Sequence, residues 1–367
     1  MFWRAGRILL FPFALIYGII GSIRNFLYNV GAFRSKSFPL PIISVGNIRV
    51  GGTGKTPHIE YLIRLLHPRK RVATLSRGYG RNTRGFQLAT AESTADEIGD
   101  EPRQFRQKFT SIIVAVDGDR VRGVQKLLRN DTAPEVVLLD DAFQHRAIQP
   151  GLSILLTDFS KPFFQDLVLP AGNLREWSTG KRRADIMIVT KCPVDLTALD
   201  RRAYRDRVRP KPYQHVFFTY LAYGALESLF AKNVAARYPL SHYQEKGYEI
   251  LLVSGIANPK PLEVELHRHS IHFKHLSFPD HHRYTEADVK KIQNIFDSFA
   301  AGKKLILTTE KDGMRLVKPN LASQIEHLPV FFLPIEVAFH GNDGEEFNEL
   351  IVNYVGRNQI NSGLPKK

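Results

Sequence analysis

The residues best suited to chemistry lie in the segment VGNIRVGGTGKTP, which spans positions 45–57. Its ending, Gly54-Lys55-Thr56, matches a phosphate-binding loop, in which the lysine reaches the β- and γ-phosphates and the threonine holds Mg²⁺. Arg49 stands where the first glycine of that pattern is expected, but the remaining glycines still permit close backbone approach. We predict a nucleotide site rather than an ordinary strand–helix turn. Its residues are Arg49, Val50, Gly51, Gly52, Thr53, Gly54, Lys55 and Thr56.

Two acidic segments follow. In VVLLDD (136–141), four apolar residues precede Asp140, and a carboxylate at a strand end is typical of a Mg²⁺ site, although such aspartates are common elsewhere. Asp141 comes next, and the sequence does not decide between the two. In DEIGDEPRQF (96–105), carboxylates that include Asp100 and Glu101 surround Gly99. This run is either a solvated loop or a source of a base or a metal ligand.

Histidines occur in SFPDHHRYTEAD (277–288). Thr285 and Asp288 fit a capping box, so a helix should begin there and leave Asp280, His281 and His282 on the preceding loop. A histidine beside a carboxylate is suited to proton transfer near neutral pH, whereas a surface histidine pair is the alternative. Zinc is disfavoured because the sole cysteine lies elsewhere and no spaced histidine set appears.

Two further kinds of segment carry charge. Lys311 and Asp312 follow an apolar run, where they form either a base-reading loop or a charged turn. An aspartate there could accept a hydrogen bond from the exocyclic amine of a purine. SRGYGRNTRG (76–85) and PAGNLREWSTGKRRAD (170–185) combine glycine with arginine, whose guanidinium group matches phosphate oxygens. Candidate phosphate-binding arginines are Arg77, Arg81, Arg175, Arg182 and Arg183.

The elements that must position these residues alternate between apolar runs and helical patterns. Valine- and isoleucine-rich runs without alternation predict strands buried on both faces, as in a parallel sheet covered by helices. The pattern therefore predicts a doubly wound α/β fold with the glycine loop between a strand and a helix at 57–66. The predicted strands are 41–47, 71–76, 111–116, 134–140, 152–158 and 184–190.

A second α/β series follows an aromatic-rich stretch, which we interpret as a connector at 216–230. We predict four parts: a membrane-interface helical segment at 1–35, a P-loop domain at 36–215, the connector, and a smaller α/β domain at 231–367. A helix at 345–355 should close the second domain. The predicted strands of this domain are 248–259, 271–278, 303–309 and 328–335.

Composition restricts the class of protein. The 367 residues are 43% hydrophobic and 24% charged, which is ordinary for a globular protein and excludes a mainly disordered chain. The net charge of +15 favours polyanionic partners: nucleotides, nucleic acid or anionic lipid headgroups. One cysteine, Cys192, excludes an intramolecular disulfide, and we treat it as structural.

The N-terminal run ILLFPFALIYGII (8–20) is apolar and is flanked by arginines. It is short for a membrane-spanning helix, which needs about 20 apolar residues. The sequence favours a helix at the membrane interface, with its aromatic side chains immersed and its arginines at headgroups. A buried core helix and a signal or spanning segment are the alternatives.

These segments, in this order, resemble the tetraacyldisaccharide 4′-kinase family of Gram-negative bacteria. The matching pieces run from about residue 41 to 312: VGN…GGTGKTP, SRGYGR, GDEP, LDDAFQH, AGNLRE, FPDHH and TTEKD. The resemblance implies two α/β/α domains and a peripheral protein on the cytoplasmic face of the inner membrane. It implies transfer of the γ-phosphoryl group of ATP, with Mg²⁺, to the 4′-hydroxyl of an acylated glucosamine disaccharide 1-phosphate. The family tolerates a residue other than glycine at position 49.

The resemblance also implies residue roles. Lys55 and Thr56 would bind phosphates and Mg²⁺, and Asp140 or Asp141 the metal. Asp100 would be the base, oriented by His281. The implied adenine contacts are Lys311 and Asp312 of the TTEKD segment, and the implied substrate-binding residues are Arg77, Arg81, Asn173, Arg175 and Glu176.

Ala142 and Trp177 depart from the usual family residues, glycine and proline, and Trp177 is expected to affect contacts on the lipid side. Two other functions stay open on sequence alone. One is a membrane-associated P-loop ATPase or GTPase switch without a phosphorylated acceptor. The other is a basic scaffold that binds lipid or nucleic acid; we expect no nucleic-acid partner, and the sequence does not indicate an oligomeric state.

Overall fold

Strand β1 (Ile42–Asn47) is buried along its whole length, as expected at the centre of a parallel sheet. The computed structural model describes residues 9–230, 237–280, 282–300, 302–317 and 319–362. The chain forms two units, and we call them the first unit (Met1–Leu221 with Val337–Lys367) and the second unit (Ala222–Glu336). An α/β fold with two mostly parallel sheets and an N-terminal apolar helix is confirmed.

The sheet of the first unit is built around β1. Its other strands are β2 (Val72–Ser76), β3 (Gln87–Leu88), β4 (Ile113–Val116), β5 (Val136–Asp140), β6 (Leu152–Asp158), β7 (Ile186–Thr190), β8 (His215–Tyr223) and β14 (Ile335–Phe339). Within the described ranges these nine strands have the order β14-β8-β7-β6-β1-β5-β2-β4-β3. From β8 to β4 every neighbouring pair is parallel, and β3 pairs with β4 antiparallel.

The order of the strands indicates where a ligand should bind. The chain moves to one side of β1 and then to the other, so β1 lies at the point where the direction of winding changes. Ligands of open α/β sheets bind at the carboxyl ends of strands at such a point. The loop that follows β1 is therefore at the expected position for a binding site.

Helices cover both faces of this sheet. Along β5, Val136 and Leu138 pack in one apolar cluster, and Val137 and Leu139 pack in another. This division explains why the strand sequences are apolar at successive positions. The helices of the unit are α1 (Phe11–Asn29), α2 (Lys55–Leu66), α3 (Ala95–Ile98), α4 (Asp100–Lys108), α5 (Arg120–Leu128), α6 (Ala198–Val208) and α12 (Asp343–Ser362), with 3₁₀ turns at Phe163–Gln165 and Ser178–Arg183.

The second unit contains a smaller sheet. Its strands are β9 (Glu227–Ser228), β10 (Glu249–Ser254), β11 (Phe273–Ser277), β12 (Lys304–Thr309) and β13 (Val330–Leu333). In the described part of this unit they have the order β11-β10-β12-β13-β9, parallel except for β13 and β9. Alternate residues of β10 pack on opposite faces, since Leu251 and Val253 join one cluster while Ile250 and Leu252 join another. The helices are α7 (Leu240–Glu245), α8 (Lys260–Arg268), α9 (Glu286–Asp297), α10 (Glu310–Leu316) and α11 (Pro319–Ile325).

The structure divides the chain differently from the predicted boundaries. Most of the predicted connector 216–230 is strand β8, which pairs with β7 in the first sheet. The predicted closing helix, α12, also belongs to the first unit rather than to a domain spanning 231–367. Phe347 and Ile351 are buried in the cluster that contains α2, and the Tyr354 hydroxyl donates to the Ile42 carbonyl at 3.1 Å. The apolar face of α12 thus completes the first core.

Helix α1 exposes most of its apolar surface. It is long and apolar enough to cross a membrane by length and composition, and its buried residues are Ala14 and Gly18. Phe13, Ile20 and Phe26 are each at least 60% exposed. The alternative that this helix is buried in the core is therefore wrong, because the described part of the chain does not cover the apolar residues of α1.

Candidate active site

The glycine loop has the predicted strand–loop–helix geometry. Strand β1 ends at Asn47 and helix α2 begins at Lys55, with Gly54 as its N-cap. Gly51 and Gly54 have φ values of 112° and 87°, which side chains on L-residues rarely permit. The backbone amides at the start of α2 form the kind of surface that binds phosphate oxygens.

Side chains outside the loop hold its carbonyl groups. Each carbonyl oxygen of residues 51–54 accepts a hydrogen bond from a side chain. Asn47 Nδ2 donates to the Gly51 carbonyl at 3.4 Å, and Lys191 Nζ donates to that of Gly52. Thr190 Oγ1 donates to the Thr53 carbonyl at 2.8 Å, and His58 Nδ1 donates to that of Gly54 at 2.7 Å. Burial lowers the pKa of His58 to about 4, so the ring is neutral at physiological pH. With its carbonyls engaged in this way, the loop keeps its amide groups for a ligand. Sequence reasoning missed His58, Thr190 and Lys191, since their only signal is proximity that the fold creates.

Arg49, the residue that breaks the motif, is part of a polar cluster. Its Nε donates to Asp166 Oδ2 at 2.9 Å, and Asn173 Nδ2 donates to the same oxygen at 2.9 Å. The Val50 amide donates to the Asn173 carbonyl at 2.8 Å. Arg49 and Asn173 thus fix the start of the loop to the segment that contains Asp166.

Asp140 and Asp141 lie beside the loop in different environments. Asp140 ends β5 and is 3% exposed, and its Oδ1 has no hydrogen-bond partner among the described residues. Burial, and then repulsion from Glu101, raises the pKa of Asp140 to about 7. Asp141 has a φ of 48° and faces two cations: Lys55 Nζ lies 3.8 Å and Arg175 Nη1 2.9 Å from its Oδ1. The structure therefore brings Lys55, both aspartates and Arg175 together.

Several positively charged side chains lie near Asp140. Arg120 begins α5, is 3% exposed and donates from Nη2 to the Asp140 carbonyl at 3.2 Å. Burial, and then the charge of Arg120, lowers the pKa of His145, and Arg77 acts in the same direction. Sequence reasoning missed Arg120 and His145 as site residues. Arg81 lies farther along, where its Nη2 donates to the Gly85 carbonyl at 2.8 Å.

Glu176 connects several segments. It is 6% exposed, and its carboxylate accepts from Asn25 Nδ2 at 3.2 Å, Gln144 Nε2 at 3.0 Å and Arg183 Nη2 at 2.8 Å. Asn25 is on α1, so Glu176 links this helix to the loop after β5. These contacts already engage both oxygens, and a structural role stands beside the predicted one in substrate binding.

Asp100 and Glu101 form the first turn of α4 and are both partly exposed. The electrostatic effect on Asp140 places Glu101, which sequence reasoning did not assign, near the aspartate pair. No group of three or more His, Cys, Asp or Glu residues converges as a ready metal site within the described ranges. A metal here would have few protein ligands, as is usual for Mg²⁺ bound with a nucleotide.

In the second unit, the prediction for Asp312 needs correction. Asp312 is completely buried; Oδ2 accepts from the Gly255 amide at 2.8 Å and from Thr309 Oγ1 at 2.7 Å, and Oδ1 accepts from Arg315 Nη1 at 3.1 Å. A carboxylate with both oxygens engaged and no exposed surface does not read an adenine amine. Thr309 caps the start of α10, and the Asp312 carboxylate accepts a hydrogen bond from the Thr309 hydroxyl. Lys311 lies on the same helix and is partly exposed.

The predicted histidine loop is described in part. His282 stacks on Phe278, and its Nε2 lies 3.0 Å from Asp288 Oδ2. Thr285 and Asp288 form the predicted capping box of α9. His281, the candidate partner of Asp100, lies outside the described residues.

Comparisons with known proteins agree on one family. A family model described as "LpxK: Tetraacyldisaccharide-1-P 4'-kinase" matches residues 6–355. The chain is 46% identical over 358 residues to tetraacyldisaccharide 4′-kinase of Phocaeicola vulgatus, covering 97% of each, and 47% identical over 351 residues to that of Parabacteroides distasonis, covering 95% and 94%. It is also similar to the crystal structure of "apo" form LpxK from Aquifex aeolicus in complex with ATP. That similarity has a TM-score of 0.75 at 30% identity and covers 95% of this chain and 99% of the other.

Proposed function

The chain belongs to the tetraacyldisaccharide 4′-kinase family, and from this premise we propose the roles of its residues in the reaction. It is an ATP-dependent kinase that phosphorylates the 4′-hydroxyl of tetraacyldisaccharide 1-phosphate in lipid A biosynthesis. The observation that carries the assignment of roles is the contact of Lys55 and Arg175 with Asp141, beside the buried Asp140.

Residues 49–56 bind the triphosphate of ATP. The loop amides surround the phosphates, and Lys55 neutralises the charge that develops on the transferring group. The 3.8 Å separation of Lys55 and Asp141 leaves the ammonium group able to exchange this carboxylate for a phosphate oxygen. We keep Lys311 as the adenine contact that the family resemblance implies. The buried Asp312 instead accepts hydrogen bonds from Thr309, Arg315 and the Gly255 amide.

Mg²⁺ is the metal that the donor set fits. Asp140 has a buried oxygen without a partner in the described part of the chain and a pKa raised by burial, and a cation would relieve both conditions. Asp141 already pairs with two cations, so we assign the metal first to Asp140 and the Thr56 hydroxyl, with Asp141 adjacent. When bound, Mg²⁺ would neutralise charge on the phosphates of ATP.

The lipid acceptor binds next to a group of arginine side chains near Asp141. Arg77, Arg81, Asn173, Arg175 and Glu176 form the proposed substrate-binding set, to which the position of Arg120 adds a further cation. A cavity of about 240 Å³ lies between α1 and the 3₁₀ turn at Ser178–Arg183, and its lining includes Arg146, Arg175, Arg182 and Arg183. Guanidinium groups suit the phosphate of the acceptor. From the family resemblance, we assign Asp100 as the base that accepts the proton of the 4′-hydroxyl and His281 as the residue that orients it.

The protein acts as a peripheral protein on the cytoplasmic face of the inner membrane. Exposed Phe13, Ile20 and Phe26 on α1 would enter the interface, while the net charge of +15 favours an anionic surface. Deletion of residues 1–30 should abolish recovery of the protein with vesicles. Unchanged recovery would refute this placement.

The residue roles can be tested with Mg²⁺, γ-labelled ATP and the acylated disaccharide 1-phosphate. Asp100→Asn and His281→Ala should each slow the appearance of label in lipid by about 10²–10⁴-fold, the range of acid–base groups. Asp140→Asn should raise the Mg²⁺ concentration required. Asp131→Asn, at an exposed carboxylate outside the motifs, is the matched control. Near-normal turnover of His281→Ala would remove His281 from the mechanism.

A further inference from the structure

The side chain of His58 folds back beneath the loop that precedes its own helix. Its Nδ1 lies 2.7 Å from the Gly54 carbonyl oxygen, and its Nε2 lies 3.1 Å from Thr219 Oγ1 on β8. His58 is 4% exposed and Thr219 is 1% exposed, so water does not compete for either contact. His58 therefore lies between the glycine loop and strand β8.

The partners decide which ring nitrogen carries the proton. A carbonyl oxygen only accepts, so Nδ1 must be the protonated nitrogen that donates to Gly54. Nε2 then has a lone pair, which accepts the Thr219 hydroxyl. This hydroxyl has a second acceptor, the Val189 carbonyl, at the longer distance of 3.4 Å. The Gly54 carbonyl thus fixes the tautomer, and the Thr219 hydroxyl, which can donate or accept, donates to Nε2 and holds the orientation of the ring.

Holding the Gly54 carbonyl also sets the direction of the next amide. The Gly54 carbonyl and the Lys55 N–H belong to one planar peptide group and point in opposite directions. Gly54 has a φ of 87°, a conformation in which glycine has wide freedom, so the loop needs an external restraint here. The backbone amide of His58 also donates to this carbonyl, but at 3.3 Å. The shorter side-chain bond is therefore the main restraint.

We propose that His58, oriented by Thr219, is a positioning residue that aims the Lys55 amide at the phosphates of ATP. The proposal rests on the assignment of residues 49–56 as the ATP site. It adds a requirement that the motif itself does not contain: a neutral imidazole in one tautomer below the loop. It also predicts that the loss of His58 affects ATP more than the lipid acceptor.

Steady-state kinetics on four variants test this role. His58→Leu should lower kcat/KM for ATP by about 10-fold, the effect of leaving a buried carbonyl short of one donor, with KM for the lipid within about twofold. His58→Asn places an amide N–H near the position of Nδ1 and should recover most of the loss. Thr219→Val removes the hydroxyl that holds the orientation of the ring and should lower kcat/KM for ATP by about 3-fold. His67→Leu removes a histidine at the end of the same helix, where its partner is Ser111, and should leave both constants unchanged.

Two further measurements separate the possible failures. NMR of the imidazole nitrogens should show His58 protonated at Nδ1; protonation at Nε2 would overturn the proposal. Equal losses for ATP and lipid in His58→Leu, without recovery in His58→Asn, would also overturn it, since they indicate a general structural defect. Lys55→Met tests the underlying site. If it retains full ATP affinity, the ATP-site assignment fails; if it loses affinity while His58→Leu and Thr219→Val do not, only the role of His58 fails.

Discussion

Arg49→Gly restores the glycine of the standard motif, and we expect it to weaken the protein. The Arg49 Nε–Asp166 Oδ2 hydrogen bond of 2.9 Å joins side chains that are 19% and 17% exposed. Hydrogen bonds to charged groups contribute about 1.5–3 kcal/mol, and partial exposure places this one near the lower end. Glycine adds about 0.5–1 kcal/mol of backbone entropy in an extended segment. The free energy of unfolding should therefore fall by about 2–3 kcal/mol.

A loss of that size should lower Tm by about 4–12 °C in a unit of this length, at about 2–4 °C per kcal/mol. Calorimetry, together with the fluorescence of Trp177, would measure it. A double-mutant cycle with Asp166→Asn isolates the pair, and the coupling should account for most of the loss. An unchanged or higher Tm, with a lower KM for ATP, would refute this reasoning and show that the standard glycine is the better residue.

The same pair predicts a dependence on pH. Burial tends to raise the pKa of Asp166, but hydrogen bonds from Asn173 and Arg49 outweigh it and hold the pKa below its usual value. A carboxyl group with a depressed folded-state pKa contributes its full stability above the unfolded value of about 3.9, and loses it as pH falls through the folded value. The difference between wild type and Arg49→Gly should thus be full at pH 7 and shrink below about pH 4.

Three further predictions concern other parts of the first unit. In Gly18→Val, the new Cβ would lie about 2.6 Å from Cε2 and Cζ2 of the Trp177 ring, and such overpacking costs about 1–3 kcal/mol of stability. Tm and vesicle recovery should therefore both fall, while Gly21→Val, which meets open space, should not change them. Asp141→Asn should lower kcat/KM for ATP by about 10-fold or more, since it leaves two cations without their carboxylate partner; retention of wild-type kinetics would contradict that role. Burial raises the pKa of Cys192 to about 12, so the native thiol should resist alkylation at about pH 8 and react only after denaturation; fast labelling of the folded protein would contradict the burial.

The parts of the fold that depend on local pattern could be predicted. Apolar runs located β1, β5 and β12, and the order of strand, glycine loop and helix located the loop that we propose as the ATP site. Two assignments failed because they depend on which sheet an element joins. The aromatic stretch 216–230 has the composition of a strand, but only pairing with β7 shows that most of it belongs to the first sheet. Helix α12 is amphipathic in sequence, and its burial against the first core results from tertiary contacts.

The candidate site shows the same limit. Lys55 and Asp140 could be predicted because their chemistry coincides with a spacing or with a strand end. Asp312 has equally suggestive neighbours, yet its oxygens are occupied by Thr309, Arg315 and a backbone amide. Sequence does not distinguish a carboxylate that is engaged by buried groups of the protein from one that faces a ligand. That distinction requires the exposed surface and the partners of each oxygen.

The missing glycine illustrates what a motif encodes. Glycine is needed where φ is positive, and in this loop those positions are Gly51 and Gly54. Position 49 instead forms a β-bridge with Leu174, a conformation that any side chain adopts. A side chain there can add a contact, and Arg49 does so with Asp166. The loop therefore requires two glycines with positive φ, carbonyl groups that accept hydrogen bonds from side chains outside the loop, and a lysine at the helix start. A chain that meets these conditions can lose the first glycine of the pattern and gain a restraint in its place.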